Sequence, residues 1–281
     1  MIKLVLSDMD NTLVPVGQRS VSYRTMEAIH AVLDAGVRFG PDTGRDYIEL
    51  LRFFKMDEAP LQTAIMSNGK RVRVDGKYVS VTCFEKGSLD RLGEALKNED
   101  GMFLVCYPEK SNFMVPAYVI GATEDELAAI ERLTHFNGGL VEKLPKIDYI
   151  AAAIACFGGE KRMERCRQIV SEVTPELDVV CPLPGMFDVL PHGVTKATAL
   201  DTVLEATGIK RDEVVVFGDS GNDLTIMKQA GYPVAVGNAM PEVKSVAKAV
   251  VGNSADEGVA DALFQIAEAS KAGRIPDFLR G

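Results

Sequence analysis

Asp8 and Asp10, in Asp8-Met9-Asp10-Asn11-Thr12, stand two residues apart directly after the apolar run Ile2-Lys3-Leu4-Val5-Leu6. Side chains alternate along a strand, so at its end both carboxylates can turn to one side, roughly 6–7 Å apart. That layout suits an aspartate nucleophile with its own acid/base. A second cluster follows another apolar run, where Val214-Val215-Val216-Phe217 stops at Gly218-Asp219-Ser220-Gly221-Asn222-Asp223. Carboxylates gathered at one sheet edge repel each other unless a cation sits among them, and hard oxygen ligands with no paired His or Cys point to magnesium. A plainer reading competes: turns rich in Asp and Asn end strands, and Asp219 and Asp223 could merely favour the start of the next helix.

A phosphate ester would give such a carboxylate pair its electrophile, and its oxygens need hydroxyl and cationic contacts. Thr43-Gly44-Arg45 could supply them at a second strand end, although a Gly-containing turn before a helix reads the same way. Lys196, in Gly193-Val194-Thr195-Lys196-Ala197, says more. With Thr195 as N-cap, the lysine lies in the first helical turn, where the dipole disfavours cations. A locally wrong charge suggests a bound anion; the ordinary alternative is a solvated lysine whose stem swings away.

The elements that must carry these residues alternate. Strand 2–7, a helix near 22–35 with Met26, Ile29 and Leu33 on one face, a short strand at Val37-Arg38-Phe39, a helix near 46–55 and an apolar segment at 61–66 read as βαβαβ, a parallel sheet wrapped by helices. The alternation returns after 196: helix 196–207, strand 214–217, helix 222–230, strand 233–236, helix 241–247, strand 248–251 and helix 255–269, with Ser254-x-x-Glu257 as its capping box. Between them, helices near 85–97, 123–134 and 159–173 interleave with strands at 102–107, 112–120, 147–155, 177–181 and 186–190, a texture of antiparallel pairs. Pro182, Pro184, Gly185 and Pro191 punctuate its exit. The fold class is therefore α/β, a Rossmann-like parallel sheet core with helices on both faces, formed by 1–82 and 189–281, with an α+β domain inserted at 83–188.

In order, Asp8-Met9-Asp10-Asn11-Thr12, Thr43-Gly44-Arg45, Lys196 and Gly218-Asp219-Ser220-Gly221-Asn222-Asp223 resemble the four motifs of the haloacid dehalogenase superfamily. More closely, the chain resembles a Cof-type phosphatase with a class IIB cap, and the resemblance covers essentially its whole length. It implies Asp8 as nucleophile and Asp10 as acid/base. It implies magnesium bound by Asp8, the Asp10 backbone carbonyl and Asp219, with Asp223 completing or orienting the shell. Thr43, Gly44 and Lys196 would hold phosphoryl oxygens, and Asn222 would contact phosphate or Asp8. Asn11 stands where the family usually has glycine, a change that Asn tolerates in a left-handed backbone. Asp42 replaces a usually small residue and should face away, because an inward carboxylate would repel a phosphate dianion.

Candidate substrate contacts are Arg45, Asn68 and Asp188, each with an ordinary alternative; Asn68-Gly69 is first of all a hairpin turn signal. His30, His135 and His192 show no ligand spacing. The implied function is magnesium-dependent hydrolysis of a small phosphorylated metabolite through an aspartyl phosphate. The alternatives are a phosphomutase or phosphotransferase on the same scaffold, or a catalytically silent metabolite-binding protein. Composition agrees with a small partner. The formal charge of −9 in 281 residues disfavours nucleic acid and anionic membranes. Five cysteines without a Cys-x-x-Cys read as buried thiols in a reducing compartment. No apolar stretch approaches membrane-spanning length, so the expected location is the cytoplasm.

Overall fold

The computed structural model describes residues 1–110, 117–128, 138–183 and 185–280. The chain divides into two compact units, Met1–Val81 with Thr195–Gly281, and Thr82–Val194. The first unit opens with strands β1 (Leu4–Ser7), β2 (Arg38–Pro41), β3 (Ala64–Met66), β4 (Arg71–Val74) and β5 (Lys77–Val81). The second holds β6 (Met102–Pro108), β7 (Ala117–Ile120), β8 (Gly138–Leu140), β9 (Tyr149–Cys156), β10 (Leu177–Leu183) and β11 (Met186–Pro191). The chain then returns to the first through β12 (Val214–Gly218), β13 (Tyr232–Ala235) and β14 (Ala249–Val250).

In the first unit the order β14-β13-β12-β1-β2 makes one parallel sheet. Every residue of β1 and β12 is buried. Parallel strands are covered on both faces, which is why these two read as unbroken apolar runs. Helix Tyr23–Asp34 packs on Gly258–Lys271, and Lys196–Thr207 packs on Leu224–Met227. Ser22 starts the first helix by accepting the Thr25 N–H, and Met26, Ile29 and Val32 are its buried stripe.

Three expectations for elements of the first unit are corrected. Residues 64–66 are not a full strand of the parallel sheet; they pair antiparallel with β4 in a separate β3-β4-β5 sheet, while Ile65 meets Asp42 beyond the end of β2 in a parallel bridge, the Thr43 N–H donating to the Ile65 carbonyl at 3.0 Å. The Ser67-Asn68-Gly69 turn, with φ of 51°, 55° and 97°, folds the chain straight back, so the hairpin signal at Asn68-Gly69 overrode the alternation. The helix expected at 222–230 is a 3-10 turn at Gly221–Asp223 followed by the single turn Leu224–Met227. The last helix begins at Gly258 with Glu257 in a left-handed conformation and no side-chain cap; Ser254 is engaged elsewhere, as described below.

The second unit is a six-stranded sheet of order β10-β11-β9-β6-β7-β8, antiparallel except for the β7–β8 pair. Along β6, Met102, Leu104 and Cys106 enter one apolar cluster with helices Ser88–Leu96 and Glu160–Val173, while Phe103 and Val105 enter another. That is the two-residue period of a strand buried on both faces. The unit's exit falls after β11, not at residue 188, because Asp188 sits mid-strand opposite Ala153. Residues 112–116 of one expected strand, 129–134 of one expected helix, His135 and Pro184 lie outside the described residues. Cys106, Cys156 and Cys166 are buried, as expected of core thiols, but Cys83 is only half-buried and Cys181 is exposed. Among the described residues no helix is long and apolar enough to cross a membrane.

Candidate active site

A parallel sheet puts the C-terminal ends of all its strands on one edge. β1 and β12 are neighbours whose next strands lie on opposite sides, so the crevice between them is a topological switch point, where open α/β sheets bind ligands. Asp8 follows β1, Asp42 and Thr43 follow β2, and Asp219 follows β12. The Asp8 N–H donates to the Phe217 carbonyl at 3.0 Å, which fixes the two clusters side by side.

Lys196 joins them. The Thr195–Thr198 capping box starts its helix, and the ammonium, almost wholly buried, donates to Asp8 Oδ1 at 2.8 Å, Asp223 Oδ1 at 2.7 Å and the Asp42 carbonyl at 2.7 Å. Gly69 allows this helix to seat: a Cβ there would lie 2.4 Å from the Thr195 carbonyl oxygen. Asp223 uses its other oxygen to accept the N–H groups of Asp219 and Ser220 at 3.0 and 3.1 Å. Both of its oxygens are thus engaged, which suits an orienting carboxylate. Asp219 accepts from Thr12 Oγ1 at 2.9 Å and Asn11 Nδ2 at 3.0 Å. Asp8 Oδ2 accepts from no described residue, leaving one oxygen of the buried carboxylate open.

The charges do not balance. Four buried carboxyls, Asp8, Asp42, Asp219 and Asp223, surround one ammonium. Burial pushes Asp8, Asp42 and Asp219 upward, and Asp223 adds repulsion to each. Burial alone would lower Lys196, but Asp223, Asp42 and Asp8 outweigh it and hold the ammonium well above its usual value. One ligand atom from each of Asp8, Asp219 and Asp223 lies within 4.8 Å of the others. An all-oxygen, net-negative set of this kind fits a hard divalent cation.

Asp42 does not face away. It is fully buried, its Oδ2 is 3.6 Å from Lys196 Nζ, and neither oxygen has a hydrogen-bond partner. Its backbone is the cause: the N–H donates to Ser7 and the carbonyl accepts Lys196, which turns the side chain inward. Burial, only partly countered by Lys196, raises its pKa from 3.8 to about 7. A carboxyl with a raised folded pKa favours the fold below its unfolded value, and that contribution is lost as pH climbs to the folded one. In metal-free protein, Asp42→Ala should therefore match or fall slightly below wild type in melting temperature near pH 4 and gain on it up to about pH 7. The gain should be of order 2–3 kcal/mol after about 1 kcal/mol for the cavity. Parallel melting curves across that range would contradict this account of Asp42.

Asp10 is exposed, and Arg45 grips it with Nε to Oδ2 at 2.7 Å and Nη2 to Oδ1 at 2.6 Å. Arg45 also pairs with Glu49 and lies 4.3 Å from the Phe53 ring centroid, so its guanidinium is already committed. Thr43 is buried and its hydroxyl accepts the Arg45 N–H at 3.2 Å. Asn68 lies against this loop: its N–H donates to the Thr43 carbonyl, and a Cβ on Gly44 would meet its amide at 3.1 Å. Asn222 accepts from Ser220 Oγ at 2.6 Å. Asp188 is half-buried in the second unit, where its charge helps raise the Tyr107 pKa to about 12, after the larger effect of burial.

Thr12, Asn238 and Ser254 escaped the sequence reading. Asn238 Nδ2 donates to the Asn11 carbonyl at 2.8 Å, and the Ser254 N–H donates to Asn238 Oδ1 at 2.7 Å. Both residues follow strand ends, β13 and β14, so the edge rule for parallel sheets was the signal that could have found them.

A sequence model described as haloacid dehalogenase-like hydrolase matches residues 5–263. Escherichia coli (strain K12) 5-amino-6-(5-phospho-D-ribitylamino)uracil phosphatase YbjI is 26% identical over 266 residues, 94% of this chain and 96% of its own. Serratia proteamaculans (strain 568) HMP-PP phosphatase is 26% identical over 268 residues, 92% and 93% of the two chains. Among solved structures, the HAD subclass IIB sugar phosphatase BT4131 superposes with a TM-score of 0.77 at 22% identity, covering 93% of this chain and 97% of that one.

Proposed function

The chain belongs to the haloacid dehalogenase-like hydrolases, and from that we propose that it is a magnesium-dependent phosphatase of small phosphorylated metabolites, with Asp8 as nucleophile. One observation carries the reading: Lys196 holds Oδ1 of buried Asp8 while leaving Oδ2 open, with the Asp219 and Asp223 carboxylates close by. Relatives named for a ribitylaminouracil phosphate and for HMP-PP, and a structural neighbour named a sugar phosphatase, support the substrate class.

In this reading Asp8 Oδ2 attacks phosphorus in line, the bond to the leaving oxygen breaks, and Asp10 gives that oxygen a proton. Asp10 then takes a proton from the water that attacks the aspartyl phosphate, and inorganic phosphate departs as the Asp8 carboxylate is restored. Asp8, the Asp10 carbonyl and Asp219 would hold magnesium, with Asp223 oriented behind them; the ion would supply positive charge that offsets repulsion between carboxylate and phosphate. Thr43, Gly44 and Lys196 would contact the phosphoryl oxygens, and Asn222 would contact the phosphate or Asp8. Arg45 keeps Asp10 oriented until substrate arrives. The inserted unit would discriminate among substrates, with Asp188 one of its contacts. Buried thiols at Cys106, Cys156 and Cys166 suit a reducing cytoplasm.

The test is phosphate release from a panel of phosphomonoesters by purified protein with magnesium. Release should fall to background on chelation by EDTA and return with added magnesium. Rates indifferent to chelation would remove the metal from the mechanism; isomer formation without free phosphate would indicate a mutase.

A further inference from the structure

Asn11 holds a left-handed backbone, φ 62°, a conformation that glycine adopts at least cost. Its side chain is engaged there. Nδ2 donates to Asp219 Oδ2 at 3.0 Å, and Oδ1 accepts the Ser254 hydroxyl at 3.4 Å. Its carbonyl accepts Asn238 Nδ2 at 2.8 Å, and Asn238 in turn accepts the Ser254 N–H at 2.7 Å. Its own N–H donates to the Val14 carbonyl at 2.8 Å. Asn11, Asn238 and Ser254, from beyond the ends of β1, β13 and β14, thus close a hydrogen-bonded ring, and the Asn11 side chain extends from it to the Asp219 carboxylate.

Asp219 is otherwise steered by Thr12 on its other oxygen and by the Met240 N–H on its carbonyl. Two donors, one per oxygen, fix the rotation of a carboxylate; one donor leaves it free to turn about the remaining bond. A glycine at 11 would leave Oδ2 with no donor among the described residues. A side chain retained in a conformation that favours glycine, with its shortest side-chain bond made to a carboxylate of the cation-fitting set, is strain kept at a working site.

We propose that Asn11 is a positioning residue for the divalent cation: it locks the Asp219 carboxylate in a ligating orientation and ties that orientation to the loops after β13 and β14. The inference rests on the metal-dependent reading above, with Asp219 as a ligand. Residues that orient metal ligands typically change metal affinity by about 10–100-fold when removed. With Thr12 still in place, the lower end is expected.

Asn11→Gly is the direct variant, because glycine accepts the backbone conformation. Magnesium titrated calorimetrically into metal-free protein should bind about 10-fold more weakly to Asn11→Gly than to wild type. The metal-free melting temperature should stay within a few degrees, since relief of the left-handed strain offsets the lost bonds. The magnesium concentration giving half-maximal phosphate release should rise by the same factor. Equal magnesium affinities overturn the inference and leave the phosphatase reading standing. A large drop in metal-free melting temperature with unchanged affinity also overturns it, by making Asn11 purely structural. Absence of magnesium binding to wild type overturns this inference and the metal-dependent reading together.

Discussion

Asp8→Asn is expected to remove turnover, by on the order of 10⁴-fold or more, while the protein stays folded. The amide keeps the volume of the carboxyl and an oxygen for the Lys196 ammonium, which retains Asp223 Oδ1 and the Asp42 carbonyl in any case. The N–H bond from residue 8 to Phe217 is backbone and survives the change. What goes is the open Oδ2, replaced by an amide nitrogen with no available lone pair for phosphorus. Removing one of four crowded buried carboxyls should also leave the metal-free melting temperature equal or higher. Single-turnover phosphate release and a melting curve on the same preparation check both halves. Undiminished release would rule out covalent catalysis by Asp8, and a collapsed melting curve would make any loss of activity uninformative about chemistry.

Lys196→Met should cost both stability and activity. The ammonium is the only cation hydrogen-bonded within the buried carboxyl group among the described residues. Breaking a buried pair by removing one partner typically costs about 3–5 kcal/mol. For a chain of this length that is a fall of roughly 10 °C in melting temperature. The sign with pH follows from the carboxyls. Asp8, Asp42 and Asp219 are already raised by burial, and without Lys196 they rise further. Raised carboxyls favour the fold at low pH and cease to do so as pH climbs through their folded values. The deficit should therefore shrink as pH falls, because protonation of the raised carboxyls removes the buried charge that Lys196 offsets, and be largest at neutral pH. Added magnesium should recover part of it. Phosphate release should fall by at least about 10²–10³-fold, the usual effect of removing one charge-stabilising donor. A variant that melts with wild type at pH 7 would mean that the cluster balances its charge without Lys196.

Much of this was legible in sequence because it is local. β1 and β12 are buried on both faces, so their apolar runs announce strands and the residues after them announce an edge. Lys196 was legible as a cation in the wrong place on its helix, and the structure supplies the compensating carboxylates. The insertion showed in the change from alternating helix and strand to paired strands.

The misses come where one local signal outvoted another or where a partner lay far along the chain. Residues 64–66 carry enough apolar character for a parallel strand, but the left-handed turn at Ser67-Asn68-Gly69 returned them into a hairpin. Ser254 has the spacing of a capping box, yet its N–H and hydroxyl go to Asn238 and Asn11, the latter 243 residues away.

The sequence by itself determined which chemical groups are present, in what order, and that strand ends would present them, because residue type and periodicity are local properties. The tertiary structure alone decided their pairings: Lys196 reaching Asp8 across 188 residues, Arg45 gripping Asp10, Asp42 turned inward, Asn11 on Asp219. Those choices follow from through-space burial and the competition of several donors for few acceptors, which no window along the chain contains.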